Sequence, residues 1–327
     1  MTLAATPASV RAAHAKIAAH VRRTPLMVAD LGHAPRARGV SFKLEYLQHA
    51  GSFKTRGAYN NLLSRTVPAA GVAAASGGNH GVAVALACAR LALRVRIFVP
   101  EISAPAKVAA IRAHGADVII GGARYADAQA ACDAYARESG ALVVHPFDAP
   151  ETMAGAGTVA LEWDEDAACG DVARLGELDT VLVGVGGGGL AAGMACYWEG
   201  RVRVVGVEPE GSRCLHAALE AGRPVDVTVD SVAADSLGAR RAGEHVFEAA
   251  RTHMAGVVLV QDDAIVTAQR TLWRDYRIAA EPGGAAALGA LISGAYVARA
   301  GEHVGVLLCG ANVGLDALAA LTAVNTA

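Results

Sequence analysis

The stretch Thr180-Val181-Leu182-Val183-Gly184-Val185-Gly186-Gly187-Gly188-Gly189-Leu190 decides how this chain folds. It runs as a short β-branched strand into a glycine turn, and an apolar, Ala-rich segment follows as a helix. Residues 180–198 carry no charge, a span long enough to raise the question of a membrane helix. Four successive glycines in its middle would break such a helix, so a buried strand, a loop and a buried helix explain it better. The free N–H groups of the turn and the positive end of the helix make a place for a phosphate. Gly184, Gly186 and Gly189 also satisfy G-x-G-x-x-G, and Glu208 follows at about the 20-residue spacing of a ribose-binding acid. An NAD(P)-dependent oxidoreductase therefore competes with a binder of a single phosphate monoester. The glycine run suits the monoester, and so does its place past mid-chain, since the dinucleotide fingerprint opens its βαβ unit near a domain start. Taken alone, the loop leaves the two readings even.

Outward from that loop the pattern repeats. Short apolar runs predict strands over residues 41–44, 72–75, 94–99, 117–120, 142–145, 180–183, 202–207 and 303–308. Longer Ala-rich periodic segments follow most of them and predict helices over 56–64, 79–91, 106–114, 125–139, 189–199 and 315–324. Continuous β-branched runs without polar alternation mark strands buried on both faces. Strand–helix alternation then implies parallel, doubly wound sheets, so the fold class is α/β. No Pro/Ser-rich linker and no short-period repeat divides the chain. A second domain is therefore expected as an insertion, the chain leaving one sheet and returning to it.

Composition agrees with this and removes several function classes. The 327 residues exceed what one core usually organises, roughly 250–300. Hydrophobic residues make up 53% with only 5% aromatic and 37 glycines, which suits an Ala/Val/Leu core with many tight backbone passages. Net charge is −2, from 29 basic and 31 acidic residues, with no block of like charge; no nucleic-acid or membrane partner is expected. Cys88, Cys132, Cys169, Cys196, Cys214 and Cys309 form no C-x-x-C pair, and residues 1–11 lack the apolar core of a secretory signal. Free thiols in the cytoplasm are the expectation.

Chemistry concentrates at a few further places. In Gly51-Ser52-Phe53-Lys54-Thr55-Arg56-Gly57-Ala58 a lysine sits between a predicted strand and a predicted helix. A single lysine is ordinarily a solvated surface charge. Here flanking glycines allow close backbone approach, and a helix N-terminus disfavours the charged amine. A neutral amine is what Schiff-base chemistry needs. Ser76-Gly77-Gly78-Asn79-His80-Gly81 offers hydroxyl and N–H donors that could converge on a carboxylate at a helix start, although an ordinary N-cap would look the same. His80 alone reads as a structural histidine, and Cys309 as a buried structural thiol.

Five motifs in one order go further. Gly51-Ser52-Phe53-Lys54-x-Arg56-Gly57-Ala58, Ser76-Gly77-Gly78-Asn79-His80-Gly81, Gly186-Gly187-Gly188-Gly189-Leu190, Glu281-Pro282-Gly283-Gly284-Ala285 and Cys309-Gly310-Ala311-Asn312 span nearly the whole chain. Together they resemble the serine/threonine dehydratase family of the tryptophan-synthase-β-like (fold type II) pyridoxal-phosphate enzymes. The resemblance implies two doubly wound domains, residues 70–147 as a small one inserted into a large cofactor-binding one of residues 1–69 and 148–327. It implies pyridoxal 5′-phosphate held as a Schiff base on Lys54, with Phe53 against its ring. Ser76, Gly77, Asn79 and His80 would grip the substrate carboxylate, Asn79 also reaching the cofactor's 3′-oxygen. Gly186, Gly187, Gly188, Gly189 and Leu190 would hold the phosphate, Glu281 would lie beside the ring, and Cys309 would face the pyridine nitrogen. A thiol is a weak acid partner for that nitrogen, so the ring would be a modest electron sink, favouring loss of a β-leaving group over racemisation. The implied activity is elimination of water from a small β-hydroxy amino acid such as L-threonine or L-serine, giving a 2-oxo acid and ammonia. A homodimer is implied only because relatives commonly form one.

Departures from the pattern bear on substrate. Gly77 stands where racemase-like members carry a second serine, which argues against racemase activity. Cys214 stands where their cation site would have a carboxylate, leaving Glu208 alone, so no metal is expected. Ala156 replaces a commoner glutamine and Ser236 a usual glycine. If both line the β-side of the pocket, a 3-hydroxyaspartate- or phenylserine-like substrate becomes an alternative, as does β-replacement or threonine synthase-like chemistry. The chain stops at Ala327, without room for the C-terminal regulatory domain of biosynthetic threonine enzymes, so feedback by isoleucine is not expected.

Overall fold

The computed structural model describes residues 3–31 and 36–323. Its strands, in chain order, are β1 (Leu26–Ala29), β2 (Gly39–Lys43), β3 (Val72–Ala75), β4 (Val95–Val99), β5 (Asp117–Ile120), β6 (Leu142–Val143), β7 (Thr180–Gly184), β8 (Arg203–Pro209), β9 (Gly256–Val260) and β10 (His303–Leu307). The helices are α1 (Pro7–Ile17), α2 (Lys54–Ser64), α3 (Asn79–Arg90), α4 (Pro105–Ala113), α5 (Tyr125–Ser139), α6 (Pro150–Ala167), α7 (Gly189–Trp198), α8 (Cys214–Ala221), α9 (Ala234–Leu237), α10 (Glu244–His253), α11 (Asp262–Tyr276), α12 (Pro282–Ser293) and α13 (Leu315–Ala323). The helix predicted over 315–324 ends at Ala323, and residue 324 lies outside the described residues.

Two sheets form. One has six strands in the order β1-β2-β10-β7-β8-β9, the other four in the order β5-β4-β3-β6. All pairings are parallel except β1 with β2. The strands β3, β7 and β10 are buried throughout, as expected when helices cover both faces. In each sheet the connections diverge at one point: between β7 and β10 in the larger, between β3 and β6 in the smaller. A crevice opens beyond the strand ends at such points, and ligands bind there in open α/β sheets.

The uncharged stretch resolves as its glycines required. Thr180–Gly184 is a strand, and all ten residues of α7 are buried. Among the described residues no helix is long and apolar enough to cross a membrane. The strand predicted over 142–145 is shorter, because His145 Nδ1 accepts the N–H groups of Phe147 at 3.3 Å and Asp148 at 2.8 Å and turns the chain out of the ladder.

Candidate active site

Four strand ends meet at the two crevices: Ser76 after β3, His145-Pro146-Phe147 after β6, the tetraglycine turn after β7, and Leu308-Cys309-Gly310 after β10. Lys54 opens α2. The segment before it is pinned to the β10 end, since Phe53 N–H donates to Cys309 O at 3.1 Å, Ala311 N–H to Gly51 O at 2.9 Å, and Ser52 bridges Gly310. The half-buried Lys54 then reaches across the cleft, Nζ donating to Pro146 O at 2.7 Å and lying 5.0 Å from the Phe53 ring centre. Burial pulls its amine down to about 8, against partial opposition from Cys309 and Glu281. At pH 7 roughly a tenth of such an amine is neutral, about 300-fold more than for an ordinary lysine.

The glycine turn lies next to that contact. Phe147 follows Pro146, its ring and carbonyl packing on Gly187 and Gly189 so closely that no side chain fits at either position. Gly188 has φ +83°, in the left-handed region. The turn is therefore bare backbone, and the first-turn N–H groups of α7 lack intrahelical acceptors by geometry. Cys214 Sγ donates to Gly186 O at 3.3 Å.

Glu281 is buried beside the β10 end, its backbone N–H donating to Gly310 O at 3.2 Å, and Gly283 just after it packs on Gly184. The Glu281 Oε1 accepts from Asn79 Nδ2 at 2.5 Å, and Asn312 Nδ2 donates to Asn79 Oδ1 at 2.8 Å. Burial raises the Glu281 carboxyl, with Lys107 and the Asn79 bond opposing it. Its Oε2 and the Ser52 hydroxyl are buried without a hydrogen-bond partner. Buried polar atoms are rarely left so, and two together mark a place built to meet something else. Cys309 is buried with its thiol pushed up to about 12, first by burial and then by Glu281, so it stays protonated. Its Sγ lies 3.5 Å from Gly283 O.

The structure thus gathers Phe53, Lys54, Asn79, the tetraglycine turn, Glu281 and Cys309 around one cleft. Ser76 Oγ accepts Gly78 N–H at 3.1 Å and shapes the neighbouring loop. Gly77 packs against the Ser103 side chain, which occupies the space that any Cβ there would need. His80 has its Nε2 2.9 Å from Val144 O and is held neutral, its ring pulled down to about 3 by burial and by Lys54. Its ring therefore ties α3 to the end of β6, and what it can offer a ligand is its first-turn backbone N–H. Of the two departures noted above, Ser236 stands on the site wall, its Oγ accepting Gly283 N–H at 3.0 Å. Ala156 packs inside the apolar core instead.

Sequence reading passed over Pro146, Phe147, Lys107 and Asp235. The first two lie at the end of a strand beside a topological switch, the one signal that could have found them. Glu208 answers the dinucleotide reading: its carboxylate accepts Leu215 N–H at 2.9 Å and His216 N–H at 2.8 Å at the start of α8. It is spent on the fold and not free for a ribose. A separate cleft of about 690 Å³, between residues 23–30 and 166–174, contains none of the motif residues.

Comparison with known proteins agrees with this geometry. Residues 17–310 match the model of the pyridoxal-phosphate dependent enzymes. The chain is 38% identical over 307 residues to a phenylserine dehydratase of Ralstonia pickettii, covering 91% of this chain and 90% of that protein. It is 39% identical over 303 residues to a biosynthetic L-threonine dehydratase of Salmonella typhimurium, where the match takes 90% of this chain and 57% of the relative. Among solved structures, the T.th. threonine deaminase superposes with a TM-score of 0.86 at 34% identity, covering 95% and 99% of the two chains. Maize serine racemase superposes with a TM-score of 0.88 at 30% identity, covering 97% and 96%. With its motifs assembled in one cleft and nine-tenths of its length matched, the chain belongs to the pyridoxal-phosphate dependent enzymes.

Proposed function

We propose that the protein is a dehydratase of β-hydroxy amino acids, releasing a 2-oxo acid and ammonia, with pyridoxal 5′-phosphate as cofactor. The carrying observation is the half-buried Lys54 amine, lowered to about 8 and bonded to Pro146 O, whose neighbour Phe147 packs on the bare glycine turn. The residues fit the cofactor: a depressed amine for its aldehyde, the N–H groups of a helix start for its phosphate, and two orphaned buried oxygens, of Ser52 and Glu281. Lys54 would hold it covalently, Phe53 would pack on it, and Gly186, Gly187, Gly188, Gly189 and Leu190 would hold its phosphate. Asn79, Glu281 and Cys309 would border its ring. When bound, pyridoxal phosphate supplies an electron sink for the α-carbon of an amino acid.

The chain's own groups then do the rest. Lys54, neutral in a useful fraction near pH 7, is placed to take the α-proton as general base. The loop 76–81 offers the Ser76 hydroxyl, the Asn79 amide and first-turn N–H groups to the substrate carboxylate. Cys309 keeps its proton and so would offer a bound ring nitrogen no anionic partner to hold it protonated, which would leave the cofactor a modest electron sink. Such a sink would favour loss of a β-hydroxyl over racemisation.

L-Threonine or L-serine is the first substrate reading. A phenylserine-like substrate is the second, favoured by the 38% identity to a phenylserine dehydratase of matching length. To the same reading belong residues 70–147 as a small domain inserted between 1–69 and 148–327, a homodimer, and the cytoplasm. The test is a panel of β-hydroxy amino acids assayed for 2-oxo acid with no second substrate, ranked by kcat/KM. Release of 2-oxo acid from at least one of them is expected. Turnover only when a nucleophilic co-substrate is added would replace dehydration with β-replacement.

A further inference from the structure

Outside the cleft's own chemistry one contact crosses between the two sheets by charge. Lys107 on α4 pairs with Asp235 on α9. Among the described residues it is the only ion pair joining residues 70–147 to the rest of the chain. The Lys107 side chain is 10% exposed and that of Asp235 61%, so the cation is committed and the anion sits at the rim.

Both ends of the pair reach the site through packing. On the Lys107 side, the turn entering α4 sets Ser103 against Gly77, and Ile111 of α4 packs on Gly81. The loop 76–81 is therefore propped by the element that carries Lys107. On the Asp235 side, the next residue, Ser236, accepts Gly283 N–H at 3.0 Å, and Leu237 packs on Gly186. Asp235 O itself lies 3.4 Å from where a Cβ on Gly78 would stand. The pair thus bridges the carboxylate-side loop to the wall that carries the glycine turn and Glu281.

We infer that Lys107 and Asp235 form a positioning pair that sets the width of the cleft and so the fit of the substrate carboxylate. Neither residue touches the reacting atoms in this assignment. Without the pair, loop 76–81 is held to the opposite wall by fewer contacts, and ground-state and transition-state binding weaken together. Such a loss raises KM and leaves kcat largely intact. The inference rests on the dehydratase reading for its kinetic arm only.

The test compares Lys107→Met, Asp235→Asn and the charge-reversed double variant K107D/D235K as holoenzymes. Two readouts are taken: KM and kcat on the best substrate, and hydrogen exchange of segments 76–82 and 233–238 by mass spectrometry. Each single variant is expected to raise KM roughly three- to tenfold, with kcat within about twofold. Both segments should exchange faster together, and charge reversal should bring both readouts back toward wild type. Asp235 is exposed, so Asp235→Asn carries the test if Lys107→Met folds poorly. Wild-type behaviour in Asp235→Asn overturns the inference. So does a KM rise confined to Lys107→Met with no rescue on reversal, since that assigns Lys107 to the substrate directly. If the wild-type protein turns over no β-hydroxy amino acid, the dehydratase reading falls, and the exchange measurement still decides the pair.

Discussion

Lys54 and Arg56 are two residues apart on the same helix, and each is the centre of a cluster of buried polar groups. Around Arg56 nothing is left over. Its guanidinium donates to Glu45 at 2.6 and 2.9 Å and to Glu162 at 2.7 and 2.8 Å, with Thr158 Oγ1 at 3.1 Å. Lys43 Nζ adds Thr24 O at 2.6 Å and an ion pair with Glu162 at 3.4 Å. Although burial works against its charge, Glu162 is held below the usual carboxylate range by Arg56 and Lys43. Around Lys54 the polar groups are not all met. The amine has one carbonyl partner, Ser52 Oγ and Glu281 Oε2 have none, and Lys54 and Glu281 are shifted toward their neutral forms. A satisfied buried network rigidifies a fold, whereas an unsatisfied one in a crevice is a site. The first cluster anchors the start of α2, and the second uses what that anchoring presents.

The largest expected effect separates the two in activity. Lys54→Ala should lower kcat/KM by at least about 10²-fold, the lower end of a positioned general base's contribution. Its thermal midpoint should change little, because the one bond lost, to Pro146 O, is offset by removing an amine whose charge burial disfavours. An unaltered rate would merge the two clusters into one structural class. Next comes the converse change. Arg56→Met leaves Glu45 buried without a cation and Glu162 with Lys43 alone, and should cost about 3–5 kcal/mol in urea unfolding. Any activity it loses should track the folded fraction.

A smaller effect is expected at the glycine turn. Gly188→Ala forces a side chain into left-handed backbone at φ +83° and against Val246. It should cost about 1–2 kcal/mol of stability and weaken cofactor binding, measured by titrating the apoprotein. The smallest concerns pH. The folded Lys54 amine titrates near 8 and the unfolded one near 10.5, so between those values the unfolded chain holds more protons. Wild-type apoprotein should therefore gain stability relative to Lys54→Ala as pH rises through that window. Parallel melting curves for the two across pH 8–10.5 would show the charged amine is not strained in the fold.

Much of this was legible in the order of residues, for physical reasons. Strands buried on both faces leave continuous apolar runs, and β3 and β5 fall on the predicted 72–75 and 117–120. The glycine turn was legible because only bare backbone fits between Phe147 and α7. No helix was predicted at α6 or α12, where Gly155, Gly157, Gly283 and Gly284 interrupt the apolar pattern. In the fold those glycines admit close backbones instead, Arg56 O against Gly155 and Gly310 O against Gly284. The edge strand β1 was missed because four residues after a proline carry too little pattern. Pro146 and Asp235 were invisible because their roles arise only when strand ends from distant parts of the chain converge.

The most direct measurement is borohydride reduction of the cofactor-loaded protein followed by peptide mass mapping. The expected result is a single phosphopyridoxyl adduct, on Lys54, absent from Lys54→Ala. An adduct on another lysine with Lys54 unmodified would contradict the assignment of the cleft.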